Sequence, residues 1–213
     1  METLITLYPI LRDLSTCIAH QFHIVHWINK EDICAIQTFP LDDMKWYWEH
    51  VAQHGYLKVI KWMCENKVHF YTSHIMDLAA KCGHLDIVRL LHKNKVDGCT
   101  KNAIDLAAYN GHFKVVKWLY KNKYETCTID TMDCAASGGY LEIVRWLHYH
   151  GENCSYQALS RAAHNGHFEV VKWLYKNRTD CIVNLAIESA MEANRMKIVR
   201  WLRDEMGRYK RWC

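Results

Sequence analysis

The 213-residue chain is half apolar, carries two prolines and nine glycines, and has a net charge of +4. These figures exclude a disordered chain, a string of domains on Gly/Pro-rich linkers, and a dedicated nucleic-acid binder, which would be far more basic. Ten cysteines without a C-x-x-C pair, behind a start (METLITLYPILRDL) that lacks an export signal, predict reduced thiols and an intracellular, cytoplasmic protein, with the nucleus as second choice. No apolar run is long enough to predict a membrane span.

The first predicted element is AHQFHIVHWINKE at 19–31, with His20 and Trp27 where later copies place a glycine and a tryptophan. The stretch KEDICAIQTFPLDD then matches nothing downstream. From residue 52 one pattern recurs: AQHGYLKVIKWMCENK, AKCGHLDIVRLLHKNK, AYNGHFKVVKWLYKNK, ASGGYLEIVRWLHYHG and AHNGHFEVVKWLYKNR. The anchors Gly55, Gly83, Gly111, Gly139 and Gly166 are separated by 28, 28, 28 and 27 residues. In EANRMKIVRWLRDEM the anchor is Asn194, 28 residues on, and asparagine is the usual substitute where the backbone must turn left-handed.

A fixed period of this size predicts an all-α solenoid. Counting both degenerate ends gives about seven helix-turn-helix units in one domain over 1–213. Residues 1–34 form a degenerate N-terminal capping repeat, 35–178 the core repeats, and 179–213 a C-terminal capping repeat with a basic tail, RDEMGRYKRWC.

Each unit holds two predicted helices. The first, as in TKNAIDLAAYN, starts at an N-cap residue: Thr72, Thr100, Thr128 or Ser155. It ends on an Ala-Ala pair (79/80, 107/108, 135/136, 162/163) whose small side chains let neighbouring helices approach closely. The second, as in HFKVVKWLYKN, is apolar over more than half its circumference, leaving Lys114, Lys117 and Lys121 on a narrow stripe. Neither helix can bury its apolar surface alone, and stacked copies can.

The run Ala-Ala-x-x-Gly-His-(Leu/Phe)-x-(Val/Ile)-Val-(Lys/Arg)-x-Leu, intact at 79–91 and 107–119, resembles the ankyrin repeat. Two features depart from it. The period is 28 rather than the usual 33, and HIMDLAA, NAIDLAA and DTMDCAA replace Thr-Pro-Leu-His. The missing residues belong to the ankyrin hairpin finger, so the fingers are expected to be shortened or absent. With its tryptophans, the chain is similar to the short ankyrin variety of amoebae, oomycetes and the giant DNA viruses of such hosts. The resemblance implies a turn-stabilising hydrogen bond from the residue after the anchor, histidine at 84, 112 and 167.

Several columns admit a chemical reading and a plain one. The tryptophans at 27, 62, 118, 146, 173 and 201 could stack bases or sugars, but their place on the wheel predicts packing between repeats. Cys99, Cys127, Cys154 and Cys181 recur near connectors, at a stacking distance too long for disulfides or a shared metal, which predicts small buried hydrophobes. His23 and His26 have no further ligand beside them in sequence. The column Lys61, Arg89, Lys117, Arg145, Lys172 and Arg200 makes a cationic ridge, extended by Arg203, Arg208, Lys210 and Arg211. Asp86, Glu142 and Glu169 stand three residues ahead of three of these cations, as same-face ion pairs do. No phosphate-binding glycine loop, nucleophile elbow or H-E-x-x-H motif occurs, so no enzyme, cofactor or metal is expected.

Specificity is expected where copies differ while the scaffold is constant. Those positions are the pair before each anchor, with Gln53, His54, Lys81, Tyr109, Asn110, His164 and Asn165, and the start of each first helix, with Lys101, Asn102, Asp130, Tyr156 and Gln157. By resemblance this face is concave and binds a protein partner, making the chain a monomeric, non-catalytic scaffold away from membranes. The alternatives are a nucleic-acid-associated protein using the ridge and tail, or a ubiquitin-ligase adaptor recruited through residues 1–45.

Overall fold

A computed structural model describes residues 45–66, 74–94, 100, 102–122, 129–177 and 182–209. Among these residues there are twelve helices and no strand. They form six consecutive pairs: α1 (Lys45–His54) with α2 (Leu57–Glu65), α3 (Ile75–Lys81) with α4 (Leu85–Lys93), and α5 (Asn102–Tyr109) with α6 (Phe113–Lys121). These are followed by α7 (Ile129–Gly138) with α8 (Leu141–Tyr149), α9 (Ala158–Asn165) with α10 (Phe168–Asn177), and α11 (Val183–Glu192) with α12 (Met196–Tyr209). The unit predicted around His20 and Trp27 lies outside the described residues, as do Thr72, Thr128, His23, His26, Cys99, Cys127, Cys181, Lys210 and Arg211.

The pairs stack in chain order as an α-solenoid. First helices pack side by side from α1 through α11, and they lie closer together than successive second helices do. The Ala-Ala pairs explain the difference, because Ala79, Ala80, Ala107, Ala108, Ala135, Ala136, Ala162 and Ala163 are all fully buried between first helices. On the second helices from α4 onward the Val-Val or Ile-Val pair and the following leucine are buried, as with Val115, Val116 and Leu119, and α2 buries Val59, Ile60 and Met63 in the same places. Each such side chain contributes about 1.5–3 kcal/mol relative to exposure. The connector from α8 to α9, described throughout, contains turns and no strand, in line with a shortened finger.

Both helix ends are specified locally. After α5 the Gly111 N–H donates to the Ala108 carbonyl at 3.2 Å and the His112 N–H to the Ala107 carbonyl at 2.9 Å, a Schellman closure. Gly111 carries φ +79° there, and Asn194 carries φ +56° at the equivalent place, as expected from its position. Second helices end where an asparagine caps them: the side chains of Asn66, Asn94, Asn122 and Asn177 each donate to the carbonyl four residues back at 2.7–2.8 Å.

The tryptophan column packs between repeats. His92 meets Trp118 edge-on at 5.2 Å, and Phe113 and Tyr120 meet Trp146 at 5.9 and 5.0 Å. His148 meets Trp173 at 5.1 Å, and Phe168 and Tyr175 meet Trp201 at 5.8 and 5.4 Å. Every ring of the column from 118 onward is thus held by rings of the preceding repeat, in the edge-to-face geometry that aromatic quadrupoles favour.

A second requirement falls on Gly111: a Cβ built there would overlap the ring of Tyr140 from the next repeat, whereas one built on Gly151, at φ +83°, would meet nothing within 4 Å. Gly151→Val therefore carries the backbone strain alone, and Gly111→Val adds a displaced ring. Gly111→Val should lower the thermal midpoint, followed by circular dichroism, on the order of 5–10 °C, and by clearly more than Gly151→Val. Equal shifts would contradict the ring contact.

Candidate functional site

The variable positions sit on a frame built by two inter-repeat contacts. In the first, the residue after each anchor reaches back to the previous turn. The His84 Nε2 bonds the Gln53 carbonyl at 2.9 Å, and the Arg195 Nε donates to the His164 carbonyl at 3.2 Å. The turn histidine anticipated from the repeat is therefore a strut between neighbouring repeats.

The second contact went unread in the sequence. Asp77, Asp105 and Asp133 recur at intervals of 28, one residue before the Leu-Ala-Ala or Cys-Ala-Ala run. Asp77 accepts the Thr100 N–H at 2.9 Å and its hydroxyl at 2.7 Å, and Asp133 accepts the Ser155 N–H at 2.8 Å and its hydroxyl at 2.5 Å. Thr100 and Ser155 in turn cap their own helices, each hydroxyl accepting an N–H two residues on, from Asn102 at 3.1 Å and Gln157 at 3.0 Å. The Asp105 carboxylate takes the Thr131 hydroxyl at 2.5 Å. A buried carboxylate on one first helix thereby positions the start of the next, and the 28-residue recurrence was the signal for it.

On this frame the predicted site residues divide into two groups. Gln53, His54, Lys81, Asn102, Tyr109, Asp130, Tyr156 and His164 are exposed, with Tyr109 and Tyr156 at 47% and 48%. Asn110, Gln157 and Asn165 are half-buried and already bonded within the chain. Asn110 donates to the Leu106 carbonyl at 2.8 Å, and Asn165 donates to the Ser137 carbonyl and hydroxyl at 2.8 and 3.0 Å. The Gln157 side-chain Oε1 accepts from the Arg161 guanidinium at 2.7 Å. His54 bonds the His50 carbonyl at 2.9 Å, and its ring stacks on Tyr56 at 5.9 Å. Lys101 lies outside the described residues.

Titratable groups on the first helices are shifted by burial. Burial, reinforced by the Asp105 carboxylate, pushes the Cys134 thiol up to about 11, so it is protonated at neutral pH. Cys154, the described member of the connector column, is a thiol outside any disulfide and 4% exposed, in line with a small buried side chain. Burial, with His54 alongside, lowers His50 and favours its neutral imidazole. Among the described residues no group of three His, Cys, Asp or Glu side chains is placed to hold a metal ion, and no helix is long and apolar enough to cross a membrane.

Along the cationic ridge, Arg89 pairs with Asp86 at 3.9 Å and Lys172 with Glu169 at 3.2 Å. Lys61 pairs with Glu65 at 3.9 Å, and Arg208 with Glu205 at 3.1 Å. At the end of the described stack, Asn184, Ile187, Glu188, Met191, Arg203, Met206 and Gly207 line an open hollow of about 490 Å³. Glu188 there stands in the register of the buried aspartates, and Met191 in that of the buried alanines.

Two family models match the chain: one for ankyrin repeats in three copies over residues 48–133, and one for ankyrin repeats in many copies over 132–181. No curated protein matches it significantly.

The buried ladder yields a pH-dependent prediction. Burial pushes the Asp133 carboxyl above the ordinary aspartate value, against the Ser155 bonds and Arg161 and with help from Asp130. The folded protein therefore binds this proton at higher pH than the unfolded chain, so ionisation of Asp133 weakens the fold as pH rises through that window. Relative to the parent, Asp133→Asn should gain stability from about pH 4 upward to the raised native value and run parallel above it. Asp133→Ala, which strands the Ser155 N–H, should cost about 1–3 kcal/mol. Urea melts across pH measure both, and a gap that narrows with rising pH would contradict the burial argument.

Proposed function

The chain belongs to the ankyrin-repeat proteins, whose repeats generally serve as protein–protein interaction modules, and on that premise we propose that it is a non-catalytic scaffold gripping a protein partner along its first-helix face. One observation carries this reading. At the position two before the anchor, exposed side chains change from Gln53 to Lys81, Tyr109 and His164, while the pair preceding each stays small and buried, Val51-Ala52 in the first case and Ala-Ala in the other three. Varied, exposed side chains on a fixed frame are what a recognition surface requires. The closer approach of first helices than of second helices supports a concave curvature on this side.

Tyr109 and Tyr156 are the anchors of the interface, being large, stiff and amphipathic, and each about half exposed. Lys81 and Asp130 add one charge of each sign along the same face. The 28-residue period and the tryptophan column fit the short ankyrin variety of giant DNA viruses, amoebae and oomycetes, and thiols outside any disulfide at Cys64, Cys82, Cys134 and Cys154 fit a cytoplasmic site of action.

Affinity purification of the tagged chain from cells, run beside Tyr109→Ala/His164→Ala and a Lys176→Ala control, tests the interface. The double variant should lose a stoichiometric partner about tenfold or more, with an unchanged helical dichroism spectrum, and the control should keep it. Equal recovery by all three proteins would move the interface off this face.

A further inference from the structure

A second surface lies on the opposite layer, where α6 differs from every other described second helix. Its sequence, FKVVKWLYK, contains no acid, whereas α2, α4, α8, α10 and α12 each carry at least one. Lys114, Lys117 and Lys121 are all exposed on α6, joined by exposed Lys93 and Arg89 on the neighbouring α4. The ion pairs found on the ridge hold Arg89, but none found among the described residues holds Lys93, Lys114, Lys117 or Lys121.

Helix stability does not account for this arrangement. Lys114 occupies the first turn, where the helix dipole disfavours a cation and where α4, α8 and α10 place Asp86, Glu142 and Glu169. The i,i+3 and i,i+4 spacings of Lys114, Lys117 and Lys121 add like-charge repulsion. Lys117 also spreads its ammonium over the Phe113 ring at 3.9 Å, with Trp146 at 6.0 Å, so the cation is presented on an aromatic shelf.

We infer that the α4–α6 lysine cluster is a docking surface for a short acidic segment of a protein. Charge complementarity selects carboxylates, and the flanks select a short run of them. Asp86 on one side and Glu142 on the other occupy the same helical position as Lys114, so a continuous phosphate backbone laid along the stack would meet negative charge within one repeat in either direction. A few carboxylates crossing α6 avoid both.

Fluorescence anisotropy with a labelled oligoglutamate peptide tests this on the full chain at about 50 and about 150 mM salt, with a labelled oligothymidylate as a second probe. The peptide should bind with an affinity that falls as salt rises. Lys114→Glu/Lys117→Glu/Lys121→Glu should weaken it about tenfold or more, and Lys61→Glu/Lys176→Glu/Lys197→Glu, with the same change in net charge, about twofold or less. All six lysines are solvent-facing, and dichroism spectra check that both triples fold. No peptide binding, equal weakening by the two triples, or tighter binding of oligothymidylate lost in the α6 triple would overturn the assignment.

Discussion

Each repeat is held to its predecessor where a side chain lies across a turn residue that has no Cβ. A Cβ on Gly55 would sit 2.6 Å from the His84 ring, and one on Gly83 would sit 2.5 Å from His112. Tyr140 and His167 occupy the same place over Gly111 and Gly139, and Arg195 does so over Gly166. The anchor glycine thus answers two demands at once: a left-handed turn within its own repeat and a seat for the next. Register along the stack follows, because the seated residue is the one directly after the following anchor.

That contact also explains how variable positions are tolerated. The carbonyls bonded by the struts belong to Gln53 and His164, both at the changeable position two before the anchor. Their backbone is fixed by the neighbour while their side chains face solvent. A frame that grips main chain and leaves side chains unconstrained can exchange surface chemistry at small cost in stability. The lysine stripe on α6 uses the same freedom on the other layer, since the burial of that helix falls to Val115, Val116 and Leu119, with Phe113, Trp118 and Tyr120 packed beside them.

Much of this was legible before the structure. The period, the left-handed anchors down to Asn194, the buried Ala-Ala pairs and the packed tryptophans follow from spacing and helical geometry. The aspartate ladder was equally periodic, yet it went unread. The burial of Asp77 and Asp133 depends on Thr100 and Ser155 being delivered by the next repeat, which no single-helix wheel can show. The bonds that occupy Asn165 were hidden for a similar reason. Sequence variability marks a position as unconstrained by the fold's main pattern, but the Asn165 amide has its partner, Ser137, on the preceding first helix.

The seat of Tyr140 on Gly111 is the most direct point at which to test the stack. A double-mutant cycle combining Gly111→Ala with Tyr140→Ala separates the two demands on the glycine, because the backbone strain persists in both backgrounds and the ring contact does not. The account predicts that Gly111→Ala costs less, by about 1 kcal/mol or more, once Tyr140 has been truncated. Costs that add to within about 0.5 kcal/mol would contradict it, since repeats whose turns do not touch cannot be registered in this way.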